Sequence, residues 1–159
     1  MGDQEGNKLG KSALKYWRLS GFFSSLFFWL FPLGYLIFTK YFPWPFLVIY
    51  GLIVVCLSIT IVKTAIFPKI KWERWRYKVS EHDIKLSYGL WIRRQTVIPM
   101  VRVQHVDTKQ GPLMHKFSLA SVTISTAAGS HEIPALSAQI ADGLRQQISL
   151  LARVVEEDV

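Results

Sequence analysis

Charge is missing from two long stretches of this chain. No Asp, Glu, Lys or Arg occurs at residues 19–39 or at residues 41–62, and Lys40 alone separates the two runs. At about 1.5 Å rise per residue, each run folded as a helix crosses a hydrocarbon core roughly 30 Å thick. A helix buried in a large soluble protein is also apolar all round. A chain of 159 residues, however, cannot bury two such helices and also build the polar second half that follows. The absence of any charge inside the runs argues against an ion or proton path through them.

Cysteine is scarce as well. The one cysteine, Cys56, lies within the second run, which excludes an intrachain disulfide and a cysteine-based metal cluster and leaves it as a small packing residue. No phosphate-cradling glycine loop, HExxH pair or nucleophile elbow occurs, so the motifs that announce nucleotide, zinc-hydrolase or serine-hydrolase chemistry are missing. The histidines, His82, His105, His115 and His131, fall on different expected elements with no i, i+4 pair. The expectation is a protein that is not an enzyme and carries no cofactor or metal.

What is present is positive charge, unevenly placed. The net charge of +8 includes Lys8, Lys11, Lys15 and Arg18 before the first run, against Asp3 and Glu5. Lys69, Lys71, Arg74, Arg76 and Lys78 follow the second. Basic residues near span ends stay on the cytoplasmic side, so both termini are expected in the cytoplasm, with a two-span protein in the cell membrane. The first run is too long for the apolar region of a secretory signal, and no small-residue cleavage site follows it. The organisation read from these features is a basic segment at 1–18 and a transmembrane hairpin at 19–62, with helices at 19–39 and 41–62. A basic juxtamembrane linker at 63–74 and a soluble domain at 75–159 complete it. Within the hairpin, Pro32 should kink the first helix or leave a carbonyl for a neighbour to satisfy. Gly21, Ser24, Ser25, Gly51 and Ser58 offer small surfaces for close helix contact, and the aromatic connection around residues 39–45 suits the outer interface.

Beyond Trp75 the pattern becomes alternating. Tyr77, Val79, Ile84 and Leu86 recur at period two on either side of a short turn at Glu81 and His82, as in a β-hairpin. Further strands are expected at 90–98, ended by Pro99, then at 101–108, 119–126 and 131–134, with a turn or short helix at 110–118. A closing helix is capped by Ser137, with Leu136, Ile140, Leu144, Ile148 and Leu151 as its apolar stripe. Antiparallel strands followed by one amphipathic helix make an α+β domain.

The stretch 92–99 (IRRQTVIP), then RVQHV at 102–106, QGPL at 110–113, LASVTI at 119–124 and TAAG at 126–129 resembles the bacterial pleckstrin-homology (PH) domain family of the YdbS type. The resemblance covers about residues 74–155, and the two-span hairpin before it matches the layout of short members. It implies a PH-like split β-barrel, two antiparallel sheets closed at one end by the C-terminal α-helix. It also implies pairing with a larger membrane protein that carries related domains, and it brings no catalytic residues.

Two groups of residues are candidates for binding. Lys69, Lys71, Trp72, Arg74, Trp75 and Arg76 sit where the second span leaves the bilayer, and their charges and rings suit anionic headgroups and the interface. Arg93, Arg94, Arg102 and Gln104 form the other group, and adjacent arginines can hold a carboxylate or phosphate. If strands 90–98 and 101–108 pair around Pro99, Arg94 and Gln95 come near Arg102 and Gln104. The bland alternatives are topogenic charge for the first group and satisfied backbone carbonyls for the second. Expected partners are membrane lipid and a larger paired membrane protein. A homo-oligomer is compatible with the sequence, and nucleic acid is not expected because the basic charge faces the membrane. Three functional classes follow: an interaction module for a larger membrane protein, with envelope defence against membrane-active agents as one setting; a sensor or scaffold for anionic lipid; and an accessory subunit of a transporter.

Overall fold

The computed structural model describes residues 6–41, 45 and 47–157. The expected aromatic connection at 42–44 and 46 lies outside them. The chain opens with β1 (Asn7–Lys8) and α1 (Lys11–Leu26), then passes through a 3-10 turn (Phe27–Trp29) into α2 (Leu30–Phe38). It continues as α3 (Leu47–Ile61), a π-helical turn (Val62–Ile66) and α4 (Phe67–Arg74). There follow β2 (Arg76–Val79), β3 (Asp83–Tyr88), β4 (Arg94–Pro99), a second 3-10 turn (Met100–Arg102) and β5 (Val103–Lys109). The last elements are α5 (Pro112–Lys116), β6 (Leu119–Thr126), β7 (Gly129–Ser137) and α6 (Ala138–Glu157).

The chain divides into two compact units: Trp17–Lys69, and the residues up to Tyr16 together with those from Ile70 onward. The first unit is the apolar helical hairpin. The helical runs Lys11–Phe38 and Leu47–Arg74 each hold 28 residues, which at 1.5 Å per residue exceeds the roughly 30 Å a bilayer core requires. Residues 63–74, expected as a linker, are therefore helical. Phe23, Phe27, Phe31, Leu47 and Val54 point outward, as lipid-facing side chains do.

Inside the hairpin, small residues and polar handles set the contact. Gly21 lies against the backbone of Lys63, where a Cβ would collide with the Lys63 carbonyl oxygen. Ser25 is buried and donates its hydroxyl to the Phe22 carbonyl at 2.7 Å. The indole N–H of Trp29 donates to Thr60 Oγ1 at 3.2 Å. Lys63 Nζ donates to Ser24 Oγ at 3.1 Å and lies 4.6 Å from the centre of the Phe28 ring, a cation–π contact. The expected close contact is absent at Gly51, which has open space around it, and at Ser58, whose hydroxyl turns back to the Val54 carbonyl at 2.8 Å.

The second unit is the α+β domain. Its strands form two antiparallel sheets, ordered β1-β2-β3-β4 and β5-β6-β7, and no ladder joins them into a closed barrel among the described residues. The second 3-10 turn carries the chain from one sheet to the other. Ile84, Leu86, Ile98 and Met100 from the first sheet region, and Leu119, Val122, Ile124, Ile133 and Leu136 from the second, are buried. β6 is the middle strand of its sheet and is buried from Leu119 to Ile124 on both faces. α6 packs on β5, β6 and the second 3-10 turn, and Ser137 Oγ accepts the Ile140 N–H at 3.4 Å as its cap.

Several details depart from the sequence reading: the second apolar helix, expected from Tyr41, begins at Leu47, and the strand expected at 101–108 begins at Val103 because residues 100–102 form the 3-10 turn. The first sheet gains β1, whose Asn7 and Lys8 face Tyr77 and Arg76 across an antiparallel ladder. The strand expected at 90–98 runs from Arg94 to Pro99, because Gly89 adopts φ +137° and opens a turn before it. The buried stripe of α6 is Ala141, Leu144 and Ile148, whereas Ile140 is 52% exposed. Leu136 belongs to β7 and is buried there, Leu144 and Ile148 are buried as expected and Leu151 is half-buried, so of the expected stripe only Ile140 turns outward.

Candidate functional site

The juxtamembrane candidates are held mainly by the domain itself. Lys69 is exposed on α4. Lys71 is half-buried and lies within electrostatic reach of the Glu132 carboxylate on β7. Trp72 donates its indole N–H to the carbonyls of Leu9 and Gly10, at 2.9 and 3.1 Å. Because Leu9 and Gly10 follow β1 directly, this side chain ties the end of α4 to the chain entering the first helix. Arg74 donates from Nη1 to the Leu90 carbonyl. Trp75 is only 6% exposed and stacks on Tyr88 with ring centres 5.4 Å apart and planes 15° apart. Arg76 donates from Nη1 to the Trp75 carbonyl at 2.7 Å.

The second candidate group divides. Arg94 faces Tyr88 across the β3–β4 ladder, so Arg93 and Arg94 belong with Arg74, Trp75 and the Gly89 turn. Arg102, in the second 3-10 turn, and Gln104, on β5, are exposed on the other sheet region. β4 and β5 lie in different sheets, so no strand pairing brings Arg94 and Gln95 to Arg102 and Gln104. Gln104 instead lines an open groove of about 960 Å³ between β5 and α6, together with His105, Asp107, Ser149 and Arg153. β5 pairs only with β6, so its other edge is unpaired among the described residues.

Sequence reading missed two exposed apolar side chains of the α+β domain. Trp91 is 90% exposed and Ile92 75% exposed at the turn between β3 and β4. Their apolar character fitted a strand, and the signal that separates turn from strand is Gly89. At its φ of +137° an L side chain is strained, and a Cβ there would collide with the Ile92 carbonyl oxygen. Among the described residues, no group of three or more His, Cys, Asp or Glu side chains is placed to hold a metal.

A model of the bacterial PH domain matches residues 25–152. The chain belongs to the bacterial PH domain family. It is 44% identical over 159 residues to the UPF0699 transmembrane protein YdbS of Bacillus subtilis strain 168, covering the whole of both chains. It is 28% identical over 83 residues to the UPF0699 transmembrane protein YdbT of the same organism, a match spanning 50% of this chain and 17% of that protein. No solved structure matches the chain. This bacterial PH protein is thus a membrane protein whose two apolar helices interrupt its α+β domain: β1 precedes the hairpin and β2 to α6 follow it.

Proposed function

We propose that the protein is a non-enzymatic, membrane-tethered interaction module, with both ends cytoplasmic, that pairs with a larger membrane protein of the same family. The observation carrying this reading is the ladder between β1 and β2. A strand that precedes the hairpin completes a sheet that follows it, which requires both ends of the hairpin on one face of the membrane. The basic residues flanking both helices then select the cytoplasmic face. Two spans joined by a short connection and bound at both ends to one domain are a tether.

The partner reading draws on the second relative, in which a stretch similar to half of this chain occupies 17% of a longer protein. The surface best suited to it is the β5 edge with the groove beside α6. An edge strand offers unpaired N–H and C=O groups to an extended segment of another chain. The test is co-purification from native membranes in mild detergent. A stoichiometric membrane protein retained at high salt, and lost when Ala152→Trp fills the groove, is the expected result. Recovery of the protein alone, or retention unaffected by Ala152→Trp, contradicts the reading.

A further inference from the structure

The turn between β3 and β4 presents two large apolar side chains to the outside, and the local structure holds them there. Gly89 forms the turn at a φ that other residues avoid. The Arg74 guanidinium fastens the Leu90 carbonyl, and the Trp75–Tyr88 stack fixes the strand end from which the turn departs. Trp91 and Ile92 are then 90% and 75% exposed, although burying such side chains is strongly favoured and soluble surfaces rarely keep an adjacent pair uncovered. Arg93 and Arg94 follow at once, and no acidic residue occurs between Asp83 and Asp107.

We propose that this turn is a membrane-inserting tip, in which Trp91 and Ile92 enter the interface of an anionic bilayer and Arg93 and Arg94 hold lipid phosphates. Two observations select a lipid surface as the occupant. The base of the turn is bonded to Arg74, the last residue of the helix that carries the chain out of its apolar run. The tip also pairs an indole, the side chain best suited to the headgroup level, with two consecutive arginines. The tip adds a second, reversible membrane contact to the permanent one made by the hairpin. It lies outside the β5–α6 groove, so the domain can hold lipid and a partner at once.

The test uses the full chain with Cys56→Ser, in nanodiscs of phosphatidylcholine and phosphatidylglycerol, labelled with NBD at Ile92→Cys and separately at Trp91→Cys. Trp91 is retained in the first of these. Quenching by doxyl-labelled lipid with protection from aqueous iodide at both positions is the expected result. Replacing Arg93 and Arg94 by Glu shifts the tip out of the bilayer by roughly fivefold or more per arginine in the insertion equilibrium. Iodide quenching without lipid quenching at both positions overturns the proposal and leaves the tip to a protein partner. Lipid quenching untouched by the two Glu substitutions overturns the role of the arginines.

Discussion

Pro32 has no N–H to give the carbonyl four residues before it, that of Phe28, and Cys56 from the facing helix supplies a donor: its Sγ lies 3.2 Å from that oxygen. The helix tightens to a 3-10 turn over Phe27–Trp29 at the same place. Cys56 is therefore a hydrogen-bonding residue as well as a packing one. Cys56→Ala should lower stability by about 1 kcal/mol, and Cys56→Ser, which keeps a donor, should cost less; thermal unfolding in detergent separates the two. Gly21 sets a harder limit. Any side chain there meets the Lys63 carbonyl, so Gly21→Val should cost about 2 kcal/mol or more through overpacking, read in the same assay. Tyr77 in the domain is buried, and burial, only partly offset by a hydrogen bond with the Asn7 side chain, raises its phenol above the usual tyrosine value. The unfolded chain therefore ionises first. Stability contributed by the neutral phenol is intact below about pH 10 and falls as pH rises from there towards the folded-state pKa. Unfolding midpoints across that window should show the fall, and Tyr77→Phe should flatten it.

At the scale of elements, periodicity located most of the structure. The two charge-free runs became helical over residues 19–38 and 47–62, and Tyr77, Ile84 and Leu86 became buried strand positions. The five-strand run from β3 to β7 and the closing helix follow the order expected from the sequence. What periodicity could not find are features set by single residues or by distant pairing. β1 has two residues, too short for any pattern, and exists because β2 offers an edge to it and Trp72 fixes the segment after it. The turn that opens at Gly89 runs on to Arg93, farther than composition indicates, because Trp91 and Ile92 suit a strand. The candidate arginines were readable as residues, but their grouping depends on which sheet each strand joins, and that is decided by the turn at Met100–Arg102. Trp72→Phe removes the donor to Leu9 and Gly10, and should speed amide hydrogen exchange at Asn7, Lys8 and Leu9 by about fivefold, the effect of roughly 1 kcal/mol of lost hydrogen bonding. Exchange unchanged there would show that the ladder alone holds the strand.

For the molecule as a whole, the arrangement of the chain matters more than any one side chain. A PH domain that begins before a hairpin and resumes after it cannot assemble unless both ends of that hairpin emerge on the same face. The hairpin thereby becomes part of how the domain is built. Its lack of internal charge and its outward-facing phenylalanines suit lipid contact, while the β5 edge and the Gly89 turn are left on the domain as separate surfaces. The most direct check is a membrane-impermeant thiol reagent applied to sealed right-side-out and inverted vesicles, in a Cys56→Ser background with single cysteines at Lys11, Tyr41 and Lys85. The account predicts that the cysteines at 11 and 85 react only in inverted vesicles and the one at 41 only in right-side-out vesicles. Reaction of positions 11 and 85 from opposite faces would contradict it.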